Sequence, residues 1–92
     1  MTRIEYTYII DDKLMQDSIL VEWIAKVNAL KYKVKFAEDE SSIINNKILS
    51  IVCKTKDNIF KFEEVKFLDK KDDFIVGSDG IYEFTFKQII KF

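Results

Sequence analysis

The chain has 92 residues, 48% of them apolar and 34% charged, with a formal net charge of −1 and neither histidine nor proline. That balance excludes a disordered chain, which combines few apolar residues with a large net charge, and it lacks the basic excess of a general nucleic-acid binder. Without histidine there is no Ser-His-Asp or Cys-His catalysis and no zinc site of cysteine and histidine.

The length fits one domain over residues 1–92, and area scaling for such a chain buries about 65% of the unfolded surface, enough for a core without metal or disulfides. Charge is spread evenly: residues 1–46 sum to −2 and residues 47–92 to +1. A single cysteine rules out an internal disulfide and fits a reducing compartment. No apolar run reaches the length of a membrane span, and Glu5, Asp11 and Asp12 interrupt any signal-like segment. A cytoplasmic protein is expected.

Ile4-Glu5-Tyr6-Thr7-Tyr8-Ile9-Ile10 reads as a strand, with Ile4, Tyr6, Tyr8 and Ile10 on one face. Asp11-Asp12 follows, and Asp12 stands where a helix cap would stand. From Lys13 to Asn28, Met15, Ile19, Trp23 and Val27 recur at i, i+4 spacing, and Leu20 and Ile24 widen the stripe. The spacing predicts an amphipathic helix with Glu22 and Lys26 paired on its wet side and Trp23 as its largest buried contributor. Leu30, Tyr32, Val34 and Phe36 alternate with Lys31, Lys33 and Lys35 and predict a strand. Glu38-Asp39-Glu40-Ser41-Ser42 reads as a loop, and Ile43-Ile44-Asn45-Asn46 leads to the next strand.

The second half reads as strands throughout. Ile48 to Cys53 is apolar and β-branched, and Asp57-Asn58 suits a turn because both residues tolerate left-handed backbone. Phe60-Lys61-Phe62-Glu63 alternates, Glu64 interrupts, and Val65-Lys66-Phe67 resumes, which predicts one bent strand with a bulge near Glu63-Glu64. Asp69-Lys70-Lys71-Asp72-Asp73 is a turn, Phe74-Ile75-Val76 a short strand, and Gly77-Ser78-Asp79-Gly80 the strongest turn signal. Tyr82, Phe84 and Phe86 alternate with Glu83, Thr85 and Lys87, and Ile89-Ile90-Lys91-Phe92 ends the chain. The expected fold is α+β: one helix on an antiparallel, barrel-like sheet of about five or six short strands, in the order β-α-β-β-β-β-β.

The strand Tyr82–Phe86, a break at Lys87-Gln88 and a final short strand resemble the close of an Sm-type small β-barrel. The resemblance covers the C-terminal half, consists of apolar positions, and carries over no nucleotide-binding residue. It implies a barrel and admits a nucleic-acid-binding function.

The chemistry-bearing residues are few. Cys53 could be a thiol activated by Lys54 or Lys56, or a small buried apolar residue. Carboxylates cluster at Asp11-Asp12, at Glu38-Asp39-Glu40 and at Asp69 with Asp72-Asp73, without the spacing of a calcium loop; solvated loop charge is the simpler account. Lys31, Lys33 and Lys35 make a basic stripe, but Tyr32 points to the opposite face of the same strand, so rings and charges do not share a surface. Tyr6, Tyr8, Tyr32, Phe60, Phe62, Phe84 and Phe86 are core by default. With no catalytic set, no phosphate-binding loop and no cofactor motif, the composition favours a non-enzymatic protein-binding module. An inhibitor, an immunity protein or a mobile-element anti-defence protein would act in this way, occluding a partner protein. Its partner-binding candidates are Lys31, Lys33, Lys35, Glu38, Asp39, Glu40, Lys70 and Lys71. The alternative is a nucleic-acid-binding small barrel using the lysine stripe.

Overall fold

The computed structural model describes residues 1–68 and 79–92. The chain forms β1 (Thr2–Ile10), β2 (Lys13–Asn28), β3 (Lys31–Phe36), α1 (Ser41–Asn45), β4 (Lys47–Lys54), β5 (Ile59–Phe67), β6 (Ile81–Thr85) and β7 (Gln88–Lys91). The strands pair in the order β4-β1-β2-β3-β6-β5-β7, and β4 also pairs with β5. That last pairing joins the ends of the β4-β1-β2-β3-β6-β5 run into a closed six-stranded antiparallel barrel. The expected α+β architecture is therefore corrected: the fold is nearly all sheet, and its one helix among the described residues is the five-residue α1.

The segment read as a helix, Lys13–Asn28, is the longest strand, with sixteen residues. A spacing of four residues returns to the same face of a strand as well as of a helix, so Met15, Ile19, Trp23 and Val27 do not tell the two apart. Two register shifts, one between Val21 and Trp23 and one between Lys26 and Asn28, break the period of two and mask the strand pattern. Asp11 and Asp12 do not cap a helix. Both have positive φ, 50° and 59°, and form the two-residue turn of the β1–β2 hairpin, in which Ile10 pairs with Lys13. Two consecutive left-handed residues give the twist that such a hairpin requires. Glu22 pairs with Lys35 across β2 and β3 at 2.9 Å, not with Lys26. Trp23 is 39% exposed, so it is not the buried anchor that a helix would have made of it.

The rest of the pattern is close to the expected one. The even-numbered residues Ile4, Tyr6 and Tyr8 of β1 point inward, as do Val34 and Phe36 of β3. In β5 the inward set passes from Phe60 and Phe62 to Val65 and Phe67, and the switch occurs at Glu64, whose φ is 51°. On the far side of β5 the same place is matched by the break between β6 and β7, where Lys87 N–H donates to the Glu63 carbonyl at 3.0 Å. The expected turn at Asp57-Asn58 is present, with Thr55 N–H donating to the Asn58 carbonyl at 2.8 Å. Of the strongest turn signal, Asp79-Gly80 is described: Gly80 has φ 76° and its carbonyl accepts from Phe36 N–H at 2.9 Å. The expected features at Asp69–Asp73, Phe74–Val76 and Gly77-Ser78 lie outside the described residues.

The barrel interior is built on rings. Phe62 meets Phe84 edge-on at 5.2 Å between centroids, Tyr32 at 4.8 Å and Phe86 at 5.1 Å. Phe36, Phe67 and Tyr82 form a second group that joins the first through Phe84. Ile43 of α1 is fully buried and contributes to the same core. Among the described residues, buried side-chain polar atoms all have partners, and the hydroxyls of Thr7 and Ser50, across the β1–β4 pair, lie 2.6 Å apart.

Two outcomes follow. Phe62→Ala removes the ring that touches both other strands of the aromatic cluster, and should cost about 3–5 kcal/mol in urea unfolding. Replacing Asp11-Asp12 by Asn-Gly supplies residues suited to positive φ at both turn positions, and should raise stability by roughly 1 kcal/mol in the same measurement.

Candidate functional site: the open edge of β2

β2 is longer than either of its neighbours. Lys13–Val21 pairs with β1, and Val21–Asn28 pairs with β3 on the opposite side. The side of Lys13–Ile19 that faces away from β1 therefore has no strand against it among the described residues.

The phase of this edge follows from two observations. In an antiparallel strand the N–H and C=O of one residue point to the same side, and the side alternates from residue to residue. The Leu20 carbonyl accepts from Ala37 N–H at 2.9 Å, and Leu20 N–H donates to Glu38 Oε2 at 3.3 Å, both away from β1. The two-residue turn agrees, because such turns close on a hydrogen-bonded pair, here Ile10 with Lys13. Leu14, Gln16 and Ser18 thus direct their backbone groups outward. Ser18 N–H is taken by Asp17 Oδ1 at 2.8 Å. Leu14 and Gln16 have no backbone partner on this side among the described residues.

Apolar side chains flank the open groups. Leu14 is 69% exposed, on the outer face opposite Ile9; Met15 and Ile10 are 40% and 43% exposed, on the face that continues the barrel interior beyond Tyr8. Charged residues alternate with them on that inner face: Lys13, Met15 and Asp17 stand in a row opposite Ile10, Tyr8 and Tyr6. Asp17 and the burial of the ring both push the Tyr6 phenol above its ordinary range, burial being the larger cause. A strand edge with unpaired backbone and uncovered apolar side chains is a template for another strand. β7 also has an outer edge without a strand partner among the described residues, but it is four residues long.

The residues singled out from the sequence do other work. Lys31, Lys33 and Lys35 line the outer face of β3, which lies between β2 and β6 and is not an edge. Glu83 of β6 sits between Lys31 and Lys33, at 3.4 and 3.7 Å, and Glu22 takes Lys35. The Glu22 contact also pushes the Lys35 ammonium above its ordinary pKa, the hydrogen bond being the main cause. The acidic run is a set of local fastenings. Glu38 accepts from Arg3 Nη2 at 3.0 Å and from Leu20 N–H. Asp39 accepts from the Ser41 hydroxyl and N–H, at 2.6 and 3.1 Å, which holds its carboxyl below the usual range. Glu40 accepts from the Tyr82 hydroxyl at 3.0 Å. Lys70 and Lys71 lie outside the described residues. The β2 edge is absent from the sequence reading because Lys13–Asn28 is expected to be helical, and the mixed face of Lys13, Met15, Asp17 and Ile19 offers no period-two signal to place a strand there.

The other concavities carry less chemistry. A cleft of about 440 Å³ lies between the start of β4 and the end of β5, lined by Ile44, Ile48, Val65 and Phe67. Its one carboxylate among the described residues, Glu64, is paired with Lys87 at 3.5 Å. A smaller hollow of about 170 Å³ lies against Ile24, Tyr32, Phe60 and Cys53. Cys53 is 2% exposed, and burial pushes its thiol up, away from thiolate chemistry. No group of three or more metal-ligating residues occurs among the described residues, and no helix there is long and apolar enough to cross a membrane. Searched against protein-family models, curated proteins and solved structures, the chain matches none of them.

Two buried groups and one half-buried group set an alkaline limit. Burial is the main cause raising the Cys53 thiol and the Tyr6 and Tyr82 phenols, whose ordinary values are 9.0, 10.0 and 10.0. The folded chain holds these protons more tightly than the unfolded one, so their contribution is complete below the ordinary values and is lost as pH climbs through the raised ones. Urea midpoints should be flat near neutrality and fall above about pH 9. In Cys53→Val the first part of that fall should disappear.

Proposed function

We propose that this chain is a non-enzymatic protein-binding module and that its partner polypeptide adds as an extended strand to the open edge of β2. The observation that carries the reading is the coincidence, over Leu14–Gln16, of outward backbone groups with exposed apolar side chains on both faces of the strand. Main-chain hydrogen bonds supply affinity in such strand addition, and the side chains beside them supply selectivity. The closed barrel gives the edge a rigid support at little ordering cost, since the interface backbone is set before binding. Occlusion of a partner surface, as in an inhibitor or immunity protein, is the mode of action that fits a site of this kind. The lysine stripe gives weaker support to a nucleic-acid reading, because Glu83 and Glu22 offset its charge.

Gln16→Pro tests the reading. Gln16 N–H points outward and takes no part in the β1–β2 ladder, so proline there blocks an added strand while the barrel stays intact. In amine crosslinking of the full chain within an extract of its own cells, Lys13 should be joined to a bound polypeptide, whether another copy or a different chain. Gln16→Pro should reduce that product by about tenfold or more, the effect of losing one or two backbone hydrogen bonds at an interface. A crosslinked product equally abundant in both proteins would overturn the reading.

A further inference from the structure

We infer that the strand added to β2 is β2 of a second copy of this chain, antiparallel, with Met15 opposite Met15; this rests on the edge reading above. The side chains of the edge are complementary to themselves in one register. On the inner face Lys13 and Asp17 stand two residues to either side of Met15. A two-fold axis through Met15 places Lys13 of each copy opposite Asp17 of the other, twice, with the two Met15 side chains between them. Both charges are exposed, and neither has an ion-pair partner among the described residues. Asp17 uses Oδ1 on Ser18 N–H, which leaves Oδ2 for the lysine.

The backbone follows the same register. With Met15 opposite Met15, Leu14 of one copy faces Gln16 of the other, and both residues direct N–H and C=O outward. Two such pairs exchange bonds in both directions, and Met15–Met15 becomes the close, non-hydrogen-bonded pair with Cα atoms about 4.5 Å apart. A shift of two residues toward Leu20 sets Met15 against Asp17 and Lys13 against the buried Ile19, and brings Asp12 of the second copy onto Leu20, where Ala37 and Glu38 already sit. A shift the other way sets Lys13 against Met15 and draws the Asp11-Asp12 turn further into the ladder. On the inner face the Met15 register alone matches charge with charge and apolar with apolar; on the outer face it sets Leu14 against Gln16, and it stops short of the Glu38 fastening.

The test is a cysteine pair at the two-fold. Cα atoms about 4.5 Å apart accept a disulfide, and buried Cys53 does not compete. The full-length purified Met15→Cys protein should oxidise to a covalent dimer, whereas Asp17→Cys, whose two copies lie four residues apart across the axis, should not. Sedimentation equilibrium of the wild type over a dilution series should show a dimer. Lys13→Asp should weaken it by about tenfold, Lys13→Asp with Asp17→Lys should restore it, and Gln16→Pro should abolish it. Folding of each variant is checked by its urea transition. A wild type monomeric at every concentration, or a Met15→Cys protein that crosslinks no faster than Asp17→Cys, overturns the second-copy assignment. If the monomer still carries a different polypeptide on Lys13 and loses it in Gln16→Pro, the edge reading stands and only the partner is wrong. A dimer indifferent to Gln16→Pro overturns the assignment, and a Lys13 crosslink equally indifferent to Gln16→Pro overturns the edge reading as well.

Discussion

The offset of β2 against its neighbours governs this molecule. β1 covers the first half of β2 and β3 the second, with Val21 common to both. Closing a sheet into a barrel requires this kind of stagger, because tilted strands must slide past one another for the last to meet the first. The same stagger leaves β2 protruding beyond β3 at its start. Closure and the open edge thus have one origin in the pairing register. Glu38 marks the boundary between them: its carboxylate holds Leu20 N–H at the last residue before the edge opens, and Arg3 holds Glu38 in turn.

What could be read from the sequence, and what could not, depends on where period two is interrupted. β1, β3 and β5 were legible because apolar and polar residues alternate cleanly, and the switch at Glu64 was legible because it separates two clean runs. β2 was not, since the bulge between Val21 and Trp23 shifts the inward set from Ile19 and Val21 to Ile24, a second follows between Lys26 and Asn28, and the resulting mixed pattern satisfies helical spacing equally well. Asp11-Asp12 deepened the error: acidic residues before an apolar stripe are a helix-start signal, and their left-handed backbone is invisible in the sequence. The candidate site was lost along with the strand, because an edge has no meaning on a helix. The charged candidates were legible as charge but not as partners. Nothing local to Lys31-Tyr32-Lys33 announces that Glu83, fifty residues on, will stand between the two lysines.

Those pairings bear on energetics as well as on function. The lysines of β3 and Glu22 are partly exposed, and exposed ion pairs contribute little to stability, about 0.2–1 kcal/mol each. The stripe does more for solubility and register than for the free energy of folding. Stability rests on the rings: Phe62 and Phe84 are almost wholly buried, and their edge-to-face geometry links β5 to β6 across the interior. The interior is committed to that packing, and the thiol of Cys53 is sealed within it.

An open strand edge is hazardous when it can be extended without limit, since each added strand exposes a new edge. The β2 edge is bounded at both ends. The hairpin turn lies at one end, and the Glu38 and Ala37 contacts to Leu20 at the other. A two-fold pairing also uses the same edge on both chains, so it consumes the edge it recognises. A heterologous strand would leave its own far edge exposed. The exposed Leu14 and Met15, which would be a liability on a longer or open-ended edge, would be covered in the proposed two-fold pairing, which stops at two.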